Sequence, residues 1–528
     1  MSNTPPNDDP YLIGAEALVH TLIAGDVTTC FANPGTSEMH FVSALDRIPG
    51  IRCVLGLQEN VVTGMADGYF RVTGKPASTL LHCGPGLANG IANLHNARRA
   101  GAGIVNIVGD HAVPHVAFDS PLTADVVSLA ETCSDWVAYS ASPASIGADA
   151  ARAIQAARAD NGHVASLILP ADVSWNEGGK VGGILPDIEP QSPSPLQIDR
   201  AVAACRSGGR VVIVLGSAAL GVEAQPLLSG LQQAGIDLRI SQLAGLVPVG
   251  RGRMAIPRVP YVVDVALEAL APYDHVILVN CPPPTAFFLY PGRPSRVTRP
   301  DAEVFHLSRP EQDAIAALQA LASRLEIEPC SPPVVARPFT EVEGRITPDG
   351  LAEIICSLMP ENAIISDESL TQGAGFPSRI ASMAPCQWMT MVGGAIGGGL
   401  PMATGAAIGA AENGESERRI VSLQADGSAA YTMQSLWTQA RENLPCTTVL
   451  LNNRKYEILL GEYAKVGANP GETAHSMLSL DKPAIDWAVL AQSFGVMAKT
   501  VTTLEELRDA FEEAIAHDGP YLINAMMG

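Results

Sequence analysis

The chain of 528 residues is short of charge and of aromatics: 16% of its residues are charged and 5% aromatic, against 47% hydrophobic. With a mean hydropathy of +0.18, that balance excludes a disordered chain or a charge-laced coiled coil and calls for a large packed core. Basic residues are in deficit, 33 Lys and Arg against 54 Asp and Glu, a net charge of −21. Nucleic acid and anionic membrane are therefore not expected partners. The ten cysteines form no C-x-x-C pair and no His/Cys cluster at zinc spacing, so they read as reduced, mostly buried thiols of a cytoplasmic protein. A secretory leader is not expected either, because MSNTPPNDDPYLIG places acids and prolines where basic and then apolar residues would stand. The most apolar stretch, 393–411, is broken by glycines and Pro401, which suits close helix packing better than a membrane span.

What the chain does have is a repeated alternation of short Val/Ile-rich runs with Ala/Leu-rich helical segments. Two proline-rich polar stretches, 185–196 and 326–338, cut it into segments 1–184, 197–325 and 339–528, each near domain size. The pattern predicts three doubly wound α/β domains with parallel sheets. Strands are expected over 103–108, 166–169, 211–215, 276–279, 364–366, 420–424 and 447–451, all continuously apolar as doubly covered strands are. Ligands of such sheets collect beyond the carboxyl ends of the strands.

Beyond 420–424 stands Asp426-Gly427-Ser428, and beyond 447–451 stands Asn452-Asn453. Adjacent parallel strands lie about 4.8 Å apart, so the Asp426 carboxylate and the Asn453 amide oxygen can converge on one hard cation, Mg²⁺ or its substitutes Ca²⁺ and Mn²⁺. Gly427 would let a phosphate approach the backbone. This D-G-S…N-N arrangement resembles the signature of enzymes that use thiamine diphosphate (ThDP), with Ala425 where the family usually has glycine. The resemblance implies that Asp426, Asn453 and the carbonyl of Lys455 hold the metal and that Gly427, Ser428 and Tyr456 border the cofactor.

A second segment supports the resemblance. Leu57-Gln58-Glu59-Asn60 opens a helical run containing Ala66-Asp67-Gly68-Tyr69 and is similar to the family's catalytic-glutamate segment. An acid opening a helix can also serve only its dipole. The resemblance makes Glu59 the partner of the cofactor's pyrimidine, for which a buried carboxyl with a raised pKa is expected. It also makes Ile396 the apolar prop of the folded cofactor, the Gly394 carbonyl a pyrimidine contact, and Thr371 a hydroxyl donor to the diphosphate.

The loops 33–38 and 82–86 are similar to substrate-contacting loops of benzoylformate decarboxylase, which makes Thr36 and His82 candidate catalytic residues. His82 suits a proton donor near neutral pH. Phe287 falls where that enzyme has a second histidine, and Ile458 with Leu459 would wall the pocket. A branched residue at 458 narrows it toward a small aliphatic 2-oxo acid, a preference worth only about 1–3 kcal/mol. The activity implied is ThDP- and Mg²⁺-dependent C–C bond cleavage and formation, acetolactate-synthase-like, with a benzoylformate-type decarboxylase releasing an aldehyde as the alternative. Family members are homodimers or homotetramers with sites between subunits. An FAD or NAD oxidoreductase would need a G-x-G-x-x-G turn after a strand. Between Arg210 and Ser323 there is none, so FAD is not expected, although the fold could take one. A non-catalytic binding module would have lost Glu59 or Asp426, and both are present.

Overall fold

The computed structural model describes residues 12–335 and 337–527; residues 1–11, the body of the stretch read for a leader, lie outside them. β1 (Thr29–Asn33), β2 (Arg52–Leu55), β3 (Ala77–Leu81), β4 (Ile104–Asp110), β5 (Trp136–Tyr139) and β6 (Val164–Pro170) form a wholly parallel sheet in the order β2-β1-β3-β4-β6-β5. Next come β7 (Val211–Leu215), β8 (Asp237–Ile240), β9 (Leu246–Val249), β10 (His275–Val279) and β11 (Glu303–Ser308). All but β9 make a second parallel sheet, β11-β10-β7-β8. β12 (Ile364–Glu368), β13 (Cys386–Thr390), β14 (Ile420–Ala425), β15 (Cys446–Asn452), β16 (Met497–Val501) and β17 (Tyr521–Met526) build the third, β16-β17-β15-β14-β12-β13-β9. The seven strands expected from sequence are all present, each within two residues of its expected bounds.

β9 is the departure. It lies in segment 197–325 yet pairs antiparallel with β13 of the third sheet. Pro248 explains its place, since a residue without an N–H is tolerated in a sheet only at an edge. The apolar stretch 393–411 ends in the helix Gly399–Glu412, buried from Gly399 to Ala410. Among the described residues no helix is long and apolar enough to cross a membrane.

One core cluster forms where this helix meets the helix Glu59–Thr73. The latter starts at Gln58, whose side chain accepts the N–H groups of Asn60 and Val61 at 2.6 and 3.2 Å, and stops at Gly74 with φ 69°. The two helices run parallel at backbone contact. A Cβ on Gly68 would stand 2.0 Å from the Met402 carbonyl oxygen, and one on Gly405 would stand 1.8 Å from that of Met65. Their N-terminal ends therefore share one side of the molecule. At the other end Arg71 forms a two-pronged pair with Asp67, both contacts 2.7 Å, and donates to the carbonyls of Gly245 and Thr390 at 2.9 and 2.8 Å. One buried guanidinium thus ties all three segments together.

Alanine in place of a helical glycine normally gains up to about 1 kcal/mol. At Gly405 the order reverses: Gly405→Ala should lose about 2–3 kcal/mol in urea unfolding, because the backbones must part. Gly461→Ala, in a helix with nothing within 4 Å of the added carbon, should be neutral or stabilising. Equal behaviour of the two variants would refute the close approach.

Candidate active site

β14 and β15 are adjacent, with Ala425 opposite Leu451, so Asp426 and Asn453 leave neighbouring strand tips. Asp426 is buried. Its Oδ1 accepts the Gly427 N–H at 2.9 Å and its Oδ2 the Arg454 N–H at 2.7 Å, the second because Arg454 turns through the left-handed region at φ 56°. Burial pushes the Asp426 carboxyl above the usual carboxylate range, against the pull of those N–H groups. Asn453 Oδ1 accepts the Lys455 N–H at 3.1 Å. Thr371, Asp426, Gly427, Ser428, Asn453, Lys455, Tyr456 and Ile458 line one cleft.

Two observations bear on what that cleft holds. Ser428 Oγ is buried without a hydrogen-bond partner. A Cβ on Gly427 would lie 2.5 Å from Tyr456 Cε1, so glycine is what lets the Tyr456 ring lie against the backbone there. A hydroxyl without a partner among the described residues and two hard oxygen donors suit a metal-bound diphosphate.

The 393–399 loop lies between this cleft and the first segment. Gly394 has φ 87°, and the ring of Phe287 stands 3.7 Å from where its Cβ would be, so the structure brings these two candidates together; Ile396 is half-buried beside them. The Cys83–Ala100 helix grips the loop: Asn96 donates to the Ala395 carbonyl at 2.7 Å, and His95 Nε2 lies 3.0 Å from that of Gly393. From below, the fully buried Glu368 accepts the N–H groups of Gly397 and Gly399, each at 2.7 Å, and the Gln424 amide at 3.0 Å. Burial raises its carboxyl above the ordinary value of 4.5, against those donors. Within 367–371 the sequence pointed only to Thr371; Glu368 carried no signal beyond being an acid at a strand end.

Glu59 opens its helix and accepts the Asn89 amide at 3.0 Å. It is half-buried rather than buried as expected, because a helix N-terminus facing a cleft keeps one side of the carboxylate open. Its Oε1 and the Cβ of His82 both lie 3.4 Å from the point where a Gly86 Cβ would stand, so Glu59 and His82 border the same space. The companion loop differs from expectation. Thr36 is exposed, and the next residue, Ser37, reaches His82 Nδ1 and Cys83 Sγ at 3.2 Å each. Glu38, fully buried, lies 3.0 and 3.1 Å from His82 Nδ1. Ile458 and Leu459 sit in the first turn of the helix Glu457–Lys465, Ile458 against the Asp426 cleft and Leu459 exposed.

Comparison with known proteins identifies the family of the chain. Residues 13–129 match the family model of the thiamine pyrophosphate enzyme N-terminal TPP binding domain, and residues 373–525 match that of the C-terminal TPP binding domain. The chain is 41% identical over 519 residues to the Mycobacterium tuberculosis protein named "putative acetolactate synthase large subunit IlvX", covering 97% of this chain and 99% of that one. It is 26% identical to a benzoylformate decarboxylase of Pseudomonas aeruginosa over 94% of this chain and 95% of the relative. Among solved structures, the ThDP-dependent 4-hydroxybenzoylformate decarboxylase of Rhodococcus jostii superposes with a TM-score of 0.81 at 22% identity, covering 98% and 99% of the two chains.

Because folding raises the Glu368 pKa, the folded state holds a proton that the unfolded state releases above about 4.5. The contribution of Glu368 is therefore largest in acid and declines as pH rises through its folded pKa. Unfolding free energies of wild type and Glu368→Gln, measured in urea from pH 4.5 to 8, should differ in slope, wild type losing more stability toward alkaline pH. Parallel slopes would contradict the burial of that carboxyl.

Proposed function

The chain belongs to the thiamine pyrophosphate enzymes, and on that premise we propose that it catalyses Mg²⁺-dependent decarboxylation of a small 2-oxo acid, with transfer of the acyl unit to a second carbonyl as a further outcome. The observation that carries the proposal is that Glu59 and His82 border one space above Gly86. ThDP, when bound, supplies the electron sink for the pair left behind by CO₂. Asp426, Asn453 and the Lys455 carbonyl hold the cation, and Thr371, Gly427, Ser428 and Tyr456 border the diphosphate. Glu59 would share a proton with the pyrimidine, and Gly394 and Ile396 would hold that ring. His82 delivers a proton on the substrate side, with Thr36 at the rim, while Phe287, Ile458 and Leu459 bound the space left for the substrate's side chain.

Segments 1–184, 197–325 and 339–528 act in this scheme as pyrimidine-binding, middle and diphosphate-binding domains. The family implies a homodimer or homotetramer with sites between subunits, and the scattered free cysteines suit a cytoplasmic location. A second outcome, aldehyde release as in a benzoylformate decarboxylase, is favoured by the hydrogen bonding of His82 Nδ1 to Glu38, which suits a proton donor.

ThDP with Mg²⁺ at a hundredfold excess over Kd should stabilise the protein by about 2.7 kcal/mol, and Asp426→Asn should abolish that gain. Incubation with 2-oxo acids from pyruvate to benzoylformate should release CO₂, and Glu59→Gln should cut turnover by about a hundredfold or more while leaving ThDP-induced stabilisation largely intact. Ile458→Ala should shift preference toward benzoylformate by about tenfold or more, measured as the ratio of kcat/KM values. Stabilisation without turnover of any 2-oxo acid would keep the cofactor assignment and remove the substrate class.

A further inference from the structure

We propose that Glu38 is the positioning residue of His82, fixing the ring proton on Nδ1 and leaving Nε2 as the nitrogen that handles the substrate's proton. The proposal rests on the assignment of His82 as proton donor. Glu38 is buried completely, whereas the His82 side chain keeps 21% of its surface exposed. A carboxylate offers only acceptors, and each of the donors around Glu38 is accounted for. Gly35 N–H donates to Oε2 at 2.7 Å, Ser37 Oγ to Oε1, and His82 Nδ1 faces both oxygens at 3.0 and 3.1 Å. Facing an acceptor-only group, Nδ1 must carry the hydrogen.

The surroundings are shaped for this pair. A Cβ on Gly109 would stand 1.7 Å from Glu38 Oε1, and one on Gly35 would stand 2.2 Å from His82 Cγ. Two glycines from different elements thus open the seats of the carboxylate and of the ring. The other titratable groups close by are Cys83, whose thiol burial pushes up to about 11, and Asp110, whose carboxyl burial also raises; Glu59 lies across Gly86. None of these is hydrogen-bonded to the His82 ring, which leaves Glu38 as its only carboxylate partner among the described residues. In aldehyde formation the imidazolium, protonated on both nitrogens, gives its Nε2 proton to the carbon that loses CO₂ and becomes the neutral ring with its hydrogen on Nδ1; Nε2 then takes up a proton from solvent. A ring with its Nδ1 hydrogen fixed can do both without turning over.

The test uses the full-length holoenzyme labelled with ¹⁵N-histidine, and solid-state NMR of the His82 ring identified by its loss in His82→Gln. Neutral His82 should carry its hydrogen on Nδ1 in wild type and shift toward the Nε2-protonated form in Glu38→Gln. Aldehyde release by Glu38→Gln should fall about tenfold to a hundredfold, with ThDP-induced stabilisation unchanged and Glu38→Asp recovering part of the rate. A wild-type ring protonated on Nε2 when neutral would overturn the proposal without recourse to any variant. Wild-type rates in Glu38→Gln alongside an inactive His82→Gln would overturn it alone, whereas wild-type rates in His82→Gln would overturn the assignment of His82 on which it rests.

Discussion

How closely the Glu59–Thr73 and Gly399–Glu412 helices approach sets where each chain holds its Glu59 and its 393–399 loop. Two parallel helices ordinarily keep about 8–10 Å between axes because their side chains stand between them. Here Gly68 and Gly405 remove those side chains and carbonyl oxygens of each helix take the space. Because the helices are parallel, the acid that opens one and the loop that leads into the other end up side by side. Gly397 then connects the halves, its carbonyl accepting from Asn93 on one side and from Thr432 on the other, at 3.3 and 2.8 Å.

Three buried carboxylates show how the fold keeps charge away from water at tolerable cost. Asp426, Glu368 and Glu38 are each met by backbone N–H groups, and none by a lysine or arginine side chain within hydrogen-bonding distance. Removing such a group from water without donors would cost several kcal/mol; fixed N–H dipoles offset that cost without cancelling the acid's capacity to bind a cation or a proton. Glu353, equally buried, contrasts with them. It pairs with Arg337 and Arg379 at 3.1 and 2.7 Å, an arrangement that consumes its charge in holding the chain together.

The strands and the Asp426/Asn453 pair were legible in the sequence because both rest on local rules. A doubly covered strand is continuously apolar, and a ligand residue follows its end. Glu38 and Glu368 were not legible, since their roles exist only through partners 44 and 29 residues away or more. The exchange of Thr36 for Ser37 has a smaller cause: in a 3₁₀ turn such as Thr36–Glu38, successive side chains point about 120° apart, and sequence alone does not set the phase. Glu59 was read correctly as opening a helix, but burial of a helix N-terminus depends on what faces it.

Substrate choice is the least local property of all. Phe287 comes from the middle segment and is seated on Tyr261 with ring centroids 4.7 Å apart, Gly394 comes from the third, and His82 from the first. Their relative placement is held by contacts that cross segments: β9 paired to β13, Arg71 bridging Gly245 and Thr390, and the half-buried Arg258, which donates to Thr390 Oγ1 at 3.5 Å as well as to the carbonyls of Ser241 and Ala244 in its own segment at 2.8 and 2.9 Å. Burial draws the Arg258 guanidinium down to about 10, opposed by the nearby Asp367, so it stays charged at neutral pH and keeps its donors. A shift of these clamps would move Phe287 against Gly394 without altering any residue that touches substrate. In the pocket proposed above, width at position 458 is one determinant, and the placement of Phe287 against Gly394, set by packing across segments, is another.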